Sequence, residues 1–196
     1  MKKTTKMMAI FCLTASLLTA CGNPMKKMDK NTVYLKKDNT VESLSVEDFD
    51  KSYYKEEELK SFIEEEVKSQ QEARGEESVS VSEFKVEDKK VTLDLKYQSV
   101  EDYVQFTDTV LETGVYSKQV FQDQLTFIDA DSKEEVIDGI KEDGELQYVK
   151  IKDPEEIQVL VDGDILYYSK SIELVKKNLV KVPAGTESVI LYKQKG

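Results

Sequence analysis

The hydrophobic positions of the chain recur with two different periods. Between Tyr53 and Ala73 they follow the helical period, which predicts an amphipathic helix stopped by Arg74-Gly75. Asp50 and Ser52 are candidate caps for its first turn. The predicted inward stripe consists of Leu59, Phe62, Ile63 and Val67.

On either side of this helix the apolar residues alternate, which is the strand period. Thr32 to Val46 and Val79 to Tyr97 each predict a β-hairpin. In the second hairpin the apolar parity changes within one strand, so we expect a β-bulge near Ser82-Glu83.

A second helix is predicted after this hairpin. Ser99-Val100-Glu101-Asp102 resembles a capping box, and the helix would run through Tyr103, Phe106 and Val110 to Gly114. Ser45 to Phe49 repeats the Ser-Val-Glu-Asp-aromatic order of Ser99 to Tyr103. Two explanations fit this repeated order. It could mark a duplicated strand–strand–helix unit, or the two segments could each use residues that favour helix starts independently.

Beyond Gly114 the pattern predicts mostly strands, with one at Phe121–Ile128 and a short helix from Ser132 to about Ile140. Asp162-Gly163 and Pro183-Ala184-Gly185 carry turn signals, the first typical of a tight hairpin. A β-meander is then predicted from the strands Leu146–Ile151, Ile157–Val161, Ile165–Ser169, Ser171–Val175, Leu179–Val182 and Ser188–Tyr192.

The expected fold class is therefore α+β. A largely antiparallel sheet would carry two principal helices packed on it, with the meander in the C-terminal half. We expect one domain over residues 32–196, with a subdivision near residues 114–120 as an open alternative.

The first twenty residues have a different character. Lys2, Lys3 and Lys6 precede the uncharged apolar run Met7–Leu18, which is shorter than the roughly 20 residues of a membrane-spanning helix. This order is typical of a secretory signal peptide. There are two alternatives. One is an ordinary secretory signal that happens to contain a cysteine, and the other is a membrane anchor that is not cleaved.

Leu18-Thr19-Ala20-Cys21 resembles the lipobox of bacterial lipoproteins. The resemblance implies that Cys21 receives a diacylglyceryl group through a thioether and becomes the mature N-terminus once residues 1–20 are removed. It also implies a location at the extracytoplasmic face of the cell membrane. Residues 21–31 would be a lipidated tether whose Lys26, Lys27 and Lys30 are either a solvated linker or a contact for an anionic leaflet.

Composition excludes several classes of function. Residues 1–20 carry three lysines and no acid, so their removal shifts the net charge from −11 to −14, which opposes binding to nucleic acid. The mature chain would have no free thiol, because Cys12 is removed and Cys21 is lipidated. The absence of histidine excludes His-dependent triads and His metal ligands, and Arg74 is the single arginine. We therefore predict no catalytic, cofactor-binding or metal-binding residues, and folding that needs neither metal nor oxidant.

Three features of the sequence could carry chemistry. Asp129-Ala130-Asp131 with Glu134 and Glu135 offers oxygen ligands, yet it lacks the glycine of a calcium loop, so an acidic turn is favoured. Ser52-Tyr53-Tyr54-Lys55 matches the Ser-x-x-Lys of penicillin-recognising enzymes without the other motifs of that family. A pair of acids at a suitable separation would allow glycoside hydrolysis.

Taken whole, the chain resembles small, uncharacterised cell-surface lipoproteins of anaerobic Gram-positive bacteria, a likeness of composition and organisation. It implies a surface location and no activity. We expect a non-catalytic module that binds another surface or envelope protein. A carboxylate-dependent cell-wall hydrolase and an accessory subunit of a transporter or envelope assembly are the alternatives. A deep pocket lined by two desolvated acids would favour the hydrolase, and an exposed apolar patch or unpaired sheet edge would favour the others.

Overall fold

A computed structural model describes residues 23–118, 125–136, 139–140 and 144–195 of the chain. Strands dominate, two α-helices accompany them, and the predicted α+β class is confirmed. The strands form two sheets that pack against each other through one shared hydrophobic cluster.

The larger sheet has seven strands in the order β10-β11-β8-β1-β2-β4-β3. All its neighbours run antiparallel except β1 and β8, which are parallel. Numbered in chain order, its strands are β1 (Thr32–Leu35), β2 (Val41–Asp48), β3 (Val79–Glu87), β4 (Lys90–Tyr97), β8 (Ile157–Val161), β10 (Glu173–Lys176) and β11 (Leu179–Val182).

The smaller sheet has five strands in the order β5-β7-β12-β9-β6, all antiparallel. They are β5 (Val110–Val115), β6 (Phe127–Asp129), β7 (Gln147–Lys152), β9 (Gly163–Ser169) and β12 (Ser188–Gln194).

The helices are α1 (Glu56–Arg74) and α2 (Val100–Phe106). Ser99 is confirmed as the N-cap of α2, because Asp102 N donates to Ser99 Oγ at 3.1 Å. The Asp102 carboxylate accepts from Ser99 Oγ at 2.7 Å, whereas in a capping box it would accept from the Ser99 backbone N–H. Arg74 Nε reaches the same carboxylate at 2.5 Å, so the lone arginine joins the end of α1 to the start of α2.

The central strands of each sheet carry buried residues on both faces, which explains why so many of their residues are apolar, while the edge strands β3, β5 and β10 are largely exposed. The inner faces meet in the main cluster together with Ile63 and Val67 of α1. The outer face of the five-stranded sheet carries a second cluster that includes Phe127, Leu146 and Val189. On the outer face of the seven-stranded sheet, a third cluster consists of Met25, Tyr34, Leu44, Leu160 and Leu179.

Both N-terminal hairpins and the bulge are confirmed, the bulge as a register shift between Val81 and Glu83. Several helix details were wrong. Phe62 is 58% exposed and does not belong to the inward stripe. The N-cap of α1 is Lys55, without a side-chain bond, so Asp50 and Ser52 do not cap it. The second helix ends at Phe106, and Val110 to Gly114 belongs to an edge strand.

The segment from Phe121 to Ile140 also differs from the prediction where it is described. Residues 121–124 lie outside the described residues, and β6 begins at Phe127. Ser132 to Val136 forms a turn and an isolated bridge from Glu135 to Ile128, so the short helix is wrong there. Residues 137 and 138 lie outside the described part.

All six C-terminal strands are present, but they do not pair as a meander. Only β10 and β11 pair as chain neighbours, and the others are divided between the sheets. Asp162-Gly163 is a crossing from β8 in one sheet to β9 in the other, so the hairpin prediction was wrong. Gly163 is needed for close approach, since a Cβ there would lie 2.4 Å from the Lys193 carbonyl oxygen. The turn at Pro183–Gly185 is confirmed, with Gly185 at a φ of 67°.

Strands from before and after residues 114–120 together complete the seven-stranded sheet and share its cluster. The two Ser-Val-Glu-Asp-aromatic segments also differ in structure: Ser45–Asp48 lies in β2, while Ser99 caps α2. Within the described residues, no helix combines the length and apolarity needed to cross a membrane.

Candidate functional site

A cleft of about 390 Å³ opens at one end of the sheet packing, where the chain passes from β7 to β8. Its walls come from the inner sides of β2 and β4, from α2 and the turn after it, and from residues 153–157. We call it the acidic cleft, because its charged lining residues are all carboxylates: Glu47, Asp108, Asp153, Glu155 and Glu156.

Three aromatic rings form the floor of the acidic cleft. Tyr97 meets Tyr103 edge to face at 5.2 Å between centroids and meets Phe106 at 5.7 Å. Burial raises the pKa of Tyr97, and burial raises the pKa of Tyr103 to about 12. Both phenols therefore stay protonated at physiological pH. Tyr97 and Tyr103 are each 2% exposed, so the half-buried Phe106 is the ring of this floor that offers aromatic surface to a ligand.

A buried hydrogen-bond chain fixes one wall. Tyr103 Oη and Thr109 Oγ1 are 3.2 Å apart, and Thr109 Oγ1 donates to the Asp153 carboxylate. The other Asp153 oxygen accepts from Glu155 N at 2.9 Å. Asp153 thus has both oxygens occupied, and its role in the cleft is structural.

The exposed acids at the rim of the cleft are more accessible to a ligand than Asp153 is. Glu156 lies 3.7 Å from Lys181, and Glu47 accepts from the Asn31 amide at 2.7 Å. Asp108 and Glu155 are exposed and have no ion pair among the described residues. The cleft therefore presents negative charge above an aromatic floor, which suits a cationic group.

A second pair of carboxylates lies on the outer face of the seven-stranded sheet. Glu42 is fully buried, accepts from Asn23 Nδ2 at 2.5 Å, and lies 2.6 Å from Lys36 Nζ. Asp94 of the neighbouring strand is 7% exposed, and its Oδ1 has no hydrogen-bond partner in the described part of the chain.

We call Glu42 and Asp94 the covered pair. The pKa values of these two carboxyls shift in opposite directions. Burial, and then the charge of Glu42, raise the pKa of Asp94 from 3.8 to about 6. For Glu42, burial also acts upward, but the bonds from Lys36 and Asn23 outweigh it and lower the pKa. The two pKa values shift in opposite directions because the partners differ. Glu42 is paired with the Lys36 ammonium group, whereas Asp94 is buried beside the negative charge of Glu42.

The covered pair is desolvated but does not line the acidic cleft. It lies beside the N-terminal segment that covers this face, where Asn23 caps a short 3-10 helix, Pro24–Lys27, by accepting from Met25 N. Met25 is 2% exposed. The interpretation of residues 23–31 as a solvated tether was therefore wrong, because the segment is packed.

The acidic loop and the Ser-x-x-Lys segment have ordinary structural partners. Asp129 Oδ1 accepts from Asp131 N and Ser132 N, and these bonds, the Ser132 one first, lower its pKa. Glu135 pairs with Lys170, and Lys55 pairs with Glu58. Within the described ranges, no three acidic side chains converge as a metal site would require.

Sequence reasoning identified neither the acidic cleft nor the covered pair. The cleft brings together β2, α2 and the β7–β8 connection, which are far apart in sequence and meet only through the unpredicted strand order. Glu42 did carry a signal. It stands on the β2 face shared with Leu44 and Val46, where a charged residue interrupts the apolar pattern.

No family model matches the sequence, and no curated protein is similar to it. Among solved structures, the NMR structure of the folded domain of the Mycobacterium tuberculosis protein LppM aligns with 85% of this chain and 89% of its own, at 9% identity and a TM-score of 0.39. At this TM-score and identity, the likeness assigns no function to the chain.

Proposed function

We propose that the chain is a membrane-anchored extracytoplasmic lipoprotein whose acidic cleft binds a basic segment of another envelope protein. The anchor is Cys21, the last residue of Leu18-Thr19-Ala20-Cys21. A diacylglyceryl group supplies two acyl chains, and two lipid signals hold a protein stably where one is marginal.

The observation that carries the binding role is the charge of the acidic cleft. None of its lining residues is a lysine or arginine, although the chain has 28 of them. An anionic ligand would be repelled, whereas a lysine or arginine side chain would meet the rim carboxylates and the half-buried ring of Phe106 together. The expected partner is a protein, because the mature chain, with a net charge near −14, also repels nucleic acid, anionic wall polymers and, away from its N-terminal lysines, anionic lipid headgroups.

A binding role accounts for the acids better than the hydrolase alternative does. Hydrolysis by paired carboxyls needs one with a raised pKa beside the substrate. Asp94 has the raised pKa, but it stands on the outer face of the sheet, beside the packed N-terminal segment. A substrate in the acidic cleft would not reach it.

The anchor is tested by Cys21→Ala. We expect the variant to lose labelling by radioactive palmitate and to leave the detergent phase on partition. Retention of label in the variant would overturn lipidation at this residue. The wild-type chain is the control.

The cleft is tested with a tetralysine peptide as the probe. Asp108→Asn with Glu155→Gln should weaken binding by about twofold to thirtyfold, since exposed ion pairs contribute roughly 0.2–1 kcal/mol each and two are removed. Glu64→Gln with Glu65→Gln on the exposed side of α1 makes the same charge change as a control. The association rate should fall with salt. Equal weakening by both double variants would show that overall charge, and not the cleft, selects the peptide.

A further inference from the structure

We propose that the packed N-terminal segment, residues 23–31, is the membrane-contacting surface of the protein and binds anionic lipid headgroups. The inference rests on the proposed lipidation of Cys21, which it extends from attachment to orientation. It depends on how the segment is held, on its charges, and on its distance from the anchor.

The segment is held at both ends. At its start, the Asn23 amide donates to Glu42 at 2.5 Å. At its end, the Asn31 amide accepts from Val46 N at 2.7 Å and donates to Glu47 at 2.7 Å. Met25 is buried between these points. The segment therefore moves with the sheet and can fix the orientation of the whole domain.

Its outward side is basic in an acidic protein. Lys26, Lys27 and Lys30 are exposed, and Asp29 is the single acid among residues 23–31. Within the described part of the chain, none of the three lysines lies within ion-pair distance of a carboxylate. Glu173 lies near Lys30, since its pKa is lowered by Lys181 first and by the charge of Lys30 as well, and this acid offsets part of that charge. Ammonium groups on a fixed surface complement phosphate headgroups, and each adds at most about a fivefold preference for an anionic leaflet.

The anchor lies close to the start of this segment. Cys21 precedes Asn23 by two residues, which span at most about 7 Å. This is comparable to the headgroup layer of one leaflet, about 5–8 Å thick. A lipid chain on Cys21 would therefore bring the start of the segment to the headgroups, within a Debye length of roughly 8 Å.

The same geometry sets the acidic cleft apart from the anchor. The segment follows β2 from Glu42 to Glu47, a distance of about 17 Å at the strand rise. Asn31 and Glu47, at its far end, belong to the cleft lining. Docking would thus hold the cleft at a fixed place relative to the leaflet, where a loose tether would leave it free to turn.

The test uses lipidated mature protein in vesicles of phosphatidylglycerol and phosphatidylcholine that contain a headgroup-linked quencher. Asp29→Cys and Glu134→Cys, each carrying a fluorophore, report the segment and the loop on the opposite sheet. Both residues are exposed acids, so the two labelled variants carry the same charge change and keep all three lysines. We expect quenching at residue 29 and none at residue 134, with less quenching at 29 in pure phosphatidylcholine.

Lys26→Gln with Lys30→Gln should lower the docking equilibrium by up to about fivefold per lysine. Lys60→Gln with Lys68→Gln on α1 is the control for charge alone. Equal quenching at residues 29 and 134, or an equal loss in the control, would overturn the membrane-contacting surface. If the protein fails to float with the vesicles, lipidation itself is overturned, and this inference with it.

Discussion

Strand β2 contributes carboxylates to two regions that use them in opposite ways. Glu42 faces the outer side of the seven-stranded sheet, where it is fully buried and bonded to Asn23 and Lys36. Glu47, five residues on, stands exposed at the rim of the acidic cleft. The first region is covered by the chain itself, and the second is open.

The difference shows what separates a structural carboxylate from one that is available to a ligand. A buried charge costs several kcal/mol unless it is paired, so the covered pair needs the partners that it has. Exposed acids bear no such cost, and Asp108 and Glu155 have no ion pair within the described residues. The pKa shift of Asp94 thus marks a structural site, and the unshielded charge of the cleft marks the candidate binding site.

The largest expected effect comes from removing the cover of the outer face. Met25→Ala should lower the free energy of unfolding by about 2–5 kcal/mol, because a buried methionine side chain leaves a cavity. Denaturant unfolding measures the loss, with Met28→Ala, at a half-buried position, as the milder control. A loss below about 1 kcal/mol would mean that the segment does not stabilise the sheet.

The second expected effect concerns Asp94 and pH. Its pKa is about 6 in the folded protein against an ordinary 3.8, so the stability contributed by its protonated form is fully present below pH 3.8. That stability is lost as the pH rises through 6. Asp94→Asn keeps the shape without the charge, and it should raise the free energy of unfolding by about 2–3 kcal/mol at pH 7 and change it little at pH 4.

Urea unfolding at the two pH values measures the difference. Asp48→Asn, an exposed acid at the end of the same outer face, should change stability by less than about 0.5 kcal/mol at either pH. A destabilised Asp94→Asn protein at pH 7 would contradict the raised pKa. Lys96 acts against the shift and Glu83 acts with it, so neither reverses the expected sign.

Local patterns predicted local structure well. Alternation located both hairpins and all six C-terminal strands, and the parity change at Ser82-Glu83 located the bulge. The inward stripe of α1 was predicted wrongly at one position. Phe62 and Ile63 were both placed in it, but Ile63 is 8% exposed and Phe62 is 58% exposed. One residue along a helix turns the side chain by about 100°, which moves Phe62 out of the interface.

Long-range pairing could not be predicted in the same way. Asp162-Gly163 has hairpin composition, but what decides its structure is the β12 backbone packed against Gly163. The parallel pairing of β8 with β1 joins residues more than 120 positions apart, and no local signal marks it. The acidic cleft depends on that topology. Its acidic residues are visible in the sequence, but their proximity in the fold could not be predicted from it.

The smallest expected effect sharpens the contrast between the two regions. Asp108→Asn with Glu155→Gln removes two exposed charges that have no ion pair within the described chain, so the free energy of unfolding should change by less than about 0.5 kcal/mol. The same change weakens tetralysine binding if the cleft is the binding site. Asp94→Asn should do the reverse, altering stability while leaving peptide binding unchanged, because Asp94 lies outside the cleft. Measuring unfolding and binding for both variants separates the regions, and a double variant that unfolds several kcal/mol more easily would show that the rim acids hold the fold together.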